Sequence, residues 1–189
     1  HAWFQSALAD KDSPYRDYYF FEDGEKGGLG TEGGPPNNWD SFFSGPAWRH
    51  YPEHDLWALH LFSSKQMDLN WDNPEVRKEV AKIAKFWIDR GVDGFRLDVI
   101  NYISKQPGLP DGNPVIGDLM GFTGIERYFY GPKLHEYLAE LRTEAYPDPE
   151  FFTVGETPGI GLEVGKLLTD PARGELDLVF SFDHLETPG

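Results

Sequence analysis

Two short apolar runs each end in a carboxylate and then a loop. The first is Val92-Asp93-Gly94-Phe95-Arg96-Leu97-Asp98-Val99-Ile100-Asn101 and the second is Phe151-Phe152-Thr153-Val154-Gly155-Glu156-Thr157-Pro158-Gly159. If both runs are strands of a parallel α/β sheet, Asp98 and Glu156 stand at strand ends, where barrels of this class carry their chemistry. Two carboxylates on one rim are the minimum equipment for cleaving a glycosidic bond. Strand side chains alternate faces, so Gly94, Arg96 and Asp98 share one face and Phe95, Leu97 and Val99 the other. The apolar side must meet covering helices, which points Arg96 and Asp98 into the sheet interior or a barrel lumen. An arginine two residues before an aspartate keeps that aspartate ionised, the state a nucleophile needs. A purely structural Arg–Asp pair fits the same spacing. Glu156, at the dry end of its strand, suits a proton donor; a strand-terminal glutamate facing water is the simpler alternative. Asp183 and Glu186 follow a third apolar run and are further rim candidates.

The elements that must position these residues are visible as periodicities. Asn73-Pro74 is a helix start, with an N-cap followed by proline at the first helical position. Val76, Val80, Ile83, Ala84 and Trp87 follow as an amphipathic stripe, and Gly91 stands where a helix-ending glycine belongs. The strand at 92–100 comes next. Ser104 to Tyr130 is rich in glycine and proline and reads as a long loop excursion. A helix over about 132–145 carries Leu134, Tyr137, Leu138 and Leu141 on one side. A strand at 150–156, a helix at about 161–169 with Leu162 and Leu167 inward, and a strand at 176–182 complete the alternation. Helix and strand alternating in this way imply an α/β fold with parallel pairing. Before residue 68 the texture differs: a short helix at 2–10, a strand near 56–62, and otherwise an irregular region rich in glycine, proline and aromatics. The expected division is therefore 1–68, a loop-rich inserted subdomain, and 69–189, a partial catalytic α/β domain.

The 189 residues suffice for a sizeable core, yet a complete (β/α)₈ barrel takes about 250, so a central piece of a longer protein is expected. The net charge is −15, which argues against a nucleic acid partner and against an anionic membrane surface, and agrees with a neutral substrate such as a sugar. There is no cysteine, which excludes disulfides, thiolate metal sites and cysteine nucleophiles. No apolar run approaches the length of a membrane span. No pair of the six histidines has metal-ligand spacing on a helix. Asp10, Asp12 and Asp17 lack the glycine and glutamate of an EF-hand loop, and the glycines between 24 and 34 lack the Lys-Ser/Thr of a phosphate loop.

Gly94-Phe95-Arg96-Leu97-Asp98-Val99-Ile100-Asn101 and Thr153-Val154-Gly155-Glu156 look like the nucleophile and acid/base motifs of the α-amylase superfamily, glycoside hydrolase family 13. Pro36-Asn37-Asn38-Trp39, Ser44-Gly45-Pro46-Ala47-Trp48, His60-Leu61-Phe62 and Asp68-Leu69-Asn70-Trp71 resemble its oligo-1,6-glucosidase and α-glucosidase branch. The resemblance runs over essentially the whole chain. It implies part of a TIM (β/α)₈ barrel, about strands four to six with their helices, with residues 1–68 as the domain inserted after the third strand. It also implies that Asp98 forms a covalent glucosyl-enzyme, that Glu156 protonates the leaving oxygen and later activates water, and that Arg96 orients Asp98. Val99, after the nucleophile, is the residue associated with α-1,6 links. Phe43 and Phe62 fall at the aromatic walls of the glucose pocket.

Met67 departs from the proline that this branch places before Asp-Leu-Asn. The family's Asn-His motif is absent ahead of His1. Its His-Asp motif, with the third catalytic carboxylate, is absent as well, and Asp183 does not replace that acid. The sequence therefore predicts a retaining, exo-acting α-glucosidase fragment acting on isomalto-oligosaccharides and inactive alone. Within the superfamily, sucrose isomerase, transglycosylase and α-1,4-glucosidase activities use the same carboxylates. A non-catalytic binding relative is the reading from outside enzymology. The expected partner is a small oligosaccharide. No cofactor and no metal site are expected in this segment, with a structural calcium outside it left open, and the expected location is cytoplasmic.

Overall fold

The computed structural model describes residues 1–23 and 33–180. The chain forms two compact units, one from His1–Val76 with Lys105–Phe129, the other from Arg77–Ser104 with the residues from Tyr130 onward.

In the first unit, helix α1 (Ala2–Ala9) turns Phe4, Ala7 and Leu8 inward. The region read as irregular contains a sheet of three short antiparallel strands, β1 (Phe21–Asp23), β2 (Trp48–Tyr51) and β3 (Leu56–Leu59), with β3 central. Leu56, Trp57, Ala58 and Leu59 are all buried, as a central strand covered on both faces requires. β3 stops at Leu59, short of the expected 56–62, because the chain then turns back. The Leu61 N–H donates to the Asp68 carboxylate at 2.7 Å.

Residues 105–129, read as a loop excursion, pack into this same unit. The Asn37 amide donates to the Leu109 C=O at 3.0 Å and accepts from the Trp48 indole at 2.8 Å. The Trp39 indole donates to the Pro110 C=O at 2.9 Å. The segment also holds a helix the sequence reading passed over, α3 (Pro114–Met120).

The second unit carries α2 (Pro74–Ile88), β4 (Gly94–Leu97), α4 (Leu134–Ala145), β5 (Phe152–Gly155), α5 (Leu162–Leu168) and β6 (Leu178–Val179). The strands form a parallel sheet in the order β4-β5-β6. α2 ends as the sequence predicts. Gly91 has φ +87, and its N–H and that of Val92 donate back to the Ile88 and Trp87 carbonyls, which is the glycine-dependent helix stop. Gly94 is required where it stands, because a Cβ there would lie 2.5 Å from the Phe152 carbonyl oxygen. β5 is pinned by Asp177. Its carboxylate accepts from the Thr153 N–H at 2.7 Å, the Thr153 hydroxyl at 2.9 Å and Arg142 at 3.0 Å. Burial pushes this carboxyl up, but those hydrogen bonds and the Arg142 charge outweigh it and hold it below the usual carboxylate range.

Several expectations about burial are corrected. α4 buries Leu134, Tyr137, Leu138 and Leu141 as expected. The α2 stripe does not sink as a whole: Val76 is buried, whereas Ile83 and Trp87 are each 50% exposed. On α5, Leu162 and Leu167 face outward, and Gly165 and Leu168 are the buried positions. Arg96 and Asp98 are open to solvent and not enclosed in a lumen, with side chains 46% and 67% exposed. The face assignment from alternation holds, but three strands do not close over that face. The end of the expected last strand, together with Asp183 and Glu186, lies outside the described residues.

In the first unit Lys105 Nζ lies 2.6 Å from Asp68 Oδ1, with side chains 3% and 16% exposed. Removing one member leaves a buried charge unpaired. Lys105→Ala is expected to lower stability by about 3–5 kcal/mol, and the double change Lys105→Met with Asp68→Asn, which keeps an acceptor for the Leu61 N–H, to recover part of it, read from urea unfolding midpoints.

Candidate active site

The two strand-end carboxylates are brought together by strand register. The parallel ladder pairs Gly94 with Phe152 and ends with Leu97 opposite Gly155. The Glu156 N–H then donates to the Leu97 C=O at 2.9 Å. Asp98 and Glu156 are therefore neighbours across adjacent strand ends. Arg96 stands opposite Val154 on the same face. Its guanidinium is shared: Nη1 donates to Asp98 Oδ1 and Nη2 to Glu156 Oε2. The Glu156 side chain is the most enclosed of the three, at 20% exposed.

Electrostatics follow from this sharing. The Arg96 hydrogen bond holds the Asp98 carboxyl below the usual carboxylate range; partial burial works against it, and a hydrogen bond with the Glu156 carboxyl adds to it. The arginine thereby favours the ionised form of Asp98, the state a carboxylate nucleophile needs.

Val99 follows Asp98 with a left-handed backbone at φ 38 and leads into a 3₁₀ turn, Ile100–Tyr102. The turn clasps the end of β5. The Ile100 N–H donates to the Glu156 C=O at 3.1 Å, and the Asn101 amide to the Pro158 C=O at 3.3 Å. Tyr102 was not singled out from sequence. Its phenol is pushed up to about 12 by burial and then by the charge of Glu156, so it faces that carboxylate as a neutral group. The sequence signal was its position in the turn directly after a catalytic-type strand.

Phe43 and Phe62, the expected pocket walls, lie in the first unit and meet edge to face, ring centroids 6.0 Å apart. Phe42 stacks on Phe62 at 5.0 Å and meets Phe122 at 4.3 Å, so two further aromatics join this cluster. Among the described residues no three His, Asp or Glu side chains gather as a metal site. No described helix is long and apolar enough to cross a membrane.

The whole pattern can be set against known proteins. A profile of the alpha-amylase catalytic domain matches residues 1–188. The chain belongs to the alpha-amylase family. An oligo-1,6-glucosidase of Parageobacillus thermoglucosidasius is 50% identical over 186 residues, 98% of this chain and 32% of that protein. Among solved structures, a trehalose-6-phosphate hydrolase of Bacillus licheniformis aligns with a TM-score of 0.88 and 40% identity, covering 98% of this chain and 31% of that one. A trehalulose synthase mutant aligns with a TM-score of 0.86 and 42% identity, over 97% and 31%. The chain thus spans about a third of the length of the relatives it matches. Its parallel sheet and helices are part of the (β/α)₈ barrel of this alpha-amylase family.

The arginine link sets a pH dependence. Asp98 is depressed in the folded state, so its contribution to stability is present above the ordinary aspartate range and is lost as pH falls through the lower, folded value. Arg96→Gln is expected to move Asp98 titration upward, followed by carboxyl ¹³C NMR. The stability difference between wild type and variant is expected at neutral pH and to vanish in acid, read from urea midpoints at both.

Proposed function

We propose that this chain carries the nucleophile and acid/base half of a retaining, exo-acting α-glucosidase that cleaves the α-1,6 links of isomalto-oligosaccharides. The observation that carries the reading is the single guanidinium bonded to both Asp98 and Glu156. An inverting pair stands roughly 6.5–9.5 Å apart, leaving room for an attacking water, whereas a retaining pair stands roughly 5–5.5 Å apart. Two carboxyls held by the two Nη atoms of one arginine favour the closer, retaining arrangement, in which a carboxylate attacks directly.

The steps follow from these roles. Asp98, ionised, attacks the anomeric carbon as Glu156 gives its proton to the leaving oxygen; the C–O bond to the leaving sugar breaks and a glucosyl ester of Asp98 forms. Glu156, now a carboxylate, takes a proton from water, which attacks the same carbon and releases glucose and Asp98. Arg96 holds both carboxyls through the exchange. Phe43 and Phe62 offer aromatic faces to the apolar face of a glucose ring, and residues 1–68 act as the inserted subdomain that bears them. The α-1,6 preference is supported by Val99 after the nucleophile and by the 50% identity to an oligo-1,6-glucosidase.

A second reading is sucrose isomerisation, favoured by the likeness to a trehalulose synthase. There the same glucosyl ester is captured by a released sugar and not by water. Product analysis separates the two: isomaltose gives only glucose in the first case, and sucrose gives an isomer in the second.

The 189-residue chain alone is expected to release no glucose from isomaltose, since its carboxylates face open solvent. In the full-length protein, Asp98→Asn is expected to lower kcat by at least about 10³-fold without unfolding the protein. Near-normal turnover in that variant would replace the hydrolase reading with a binding role.

A further inference from the structure

The first unit holds a cleft of about 480 Å³, within the range of small-molecule sites. One side is formed by the end of α1 and the turn after it, with Leu8, Lys11 and Arg16. The other is formed by the end of β1 and the connection from β2 to β3, with Asp23, Asp55 and Leu56. His54 of that connection lines it too. The charges are sorted by side: both basic residues, Lys11 and Arg16, come from the helix side, and both acids from the sheet side. Two bases and two acids share one cleft, yet none of the four is paired with another. Among the described residues, the side chains of Lys11, Asp23 and Asp55 have no partner.

Arg16 differs from the other three because it is held from behind. Its Nη1 donates to the Ala7 C=O at 2.8 Å, and its guanidinium lies over the Phe21 ring, 4.4 Å from the centroid. These contacts fix the plane and leave the Nε and Nη2 donors without a partner among the described residues. A planar fork held in this way suits a carboxylate, and a group fixed in advance loses little freedom on binding. The sorted charges then narrow the ligand. A simple anion meets Asp23 and Asp55, a simple cation meets Lys11 and Arg16, and a neutral molecule displaces water from four charges without compensating any of them. A molecule with a carboxylate at one end and an ammonium at the other matches both sides. Leu8 and Leu56, both buried, offer apolar surface to the methylenes between.

We propose that this cleft binds a zwitterionic amino-carboxylate, with its carboxylate on Arg16 and Lys11 and its ammonium on Asp23 and Asp55. None of these residues belongs to the Asp98–Glu156 pair, and the proposal stands or falls independently of the glycosidase reading.

The test is an amide NMR titration of the 189-residue chain with two probes of different length, β-alanine and 6-aminohexanoate. At least one is expected to shift the Lys11, Arg16 and Asp55 amides to saturation, with a dissociation constant on the order of 1 mM that rises with added salt. Hexanoate and hexylamine, which carry one charge each, are expected to bind about two- to fivefold more weakly than 6-aminohexanoate. Lys11→Gln and Asp55→Asn remove exposed charges that have no partner in the fold, and asparagine accepts the left-handed backbone of Asp55. Each is expected to weaken the zwitterion about two- to fivefold. The proposal is overturned by no saturable shift at these amides from either probe, by an equal or stronger response there to hexanoate, hexylamine or isomaltose, or by unchanged affinity in both variants.

Discussion

One guanidinium holds the candidate site together. Two carboxyls at adjacent strand ends repel when both are ionised, and Arg96 relieves that repulsion by donating to each. Its hydrogen bond favours the ionised form of Asp98 without deep burial of either acid. Everything else in the second unit serves to bring the end of β5 beside the end of β4 in the register that lets Arg96 reach both.

That register has identifiable supports. Gly94 lets β5 approach where any side chain would meet the Phe152 carbonyl. Asp177 takes the Thr153 N–H and hydroxyl, fixing β5 against the start of β6 a few residues before Glu156. The Ile100–Tyr102 turn then clasps the far end. The site's face is nonetheless open, with Phe152 and Leu178 about half exposed and Asp98 largely in water. An exposed ion pair in high dielectric contributes little to stability, so here Arg96 acts mainly on protonation and orientation.

How much was legible depended on whether the signal was local. Asn73-Pro74 and Gly91 are local signals, and α2 begins and ends where they say. Asn113-Pro114 is the same start signal, with the Asn113 side chain accepting from the Val115 N–H, yet α3 was hidden by the glycines and prolines around it. The strand 92–100 was recognised, but it is shorter than read: β4 stops at Leu97, and Asp98 and Val99 lead into the Ile100–Tyr102 turn. The hydrophobic stripes of α2 and α5 show which positions share a side. They do not show what faces that side: Leu162 and Leu167 were placed inward and are exposed, and Ile83 and Trp87 of the α2 stripe are half exposed. The antiparallel sheet of the first unit escaped notice because three- and four-residue strands carry too little alternation to stand out.

Residue order alone determined the chemistry on offer: two carboxylates at the ends of two apolar strands, an arginine on the same face as the first, and the alternation that makes those strands parallel. These follow from side-chain period and capping, which act over a few residues. Only the folded chain decided that Arg96 serves both acids, that residues 105–129 pack with the first unit, and that Val99 turns left-handed. Each of these depends on backbone partners from tens of residues away in sequence, and no local pattern encodes a partner's register.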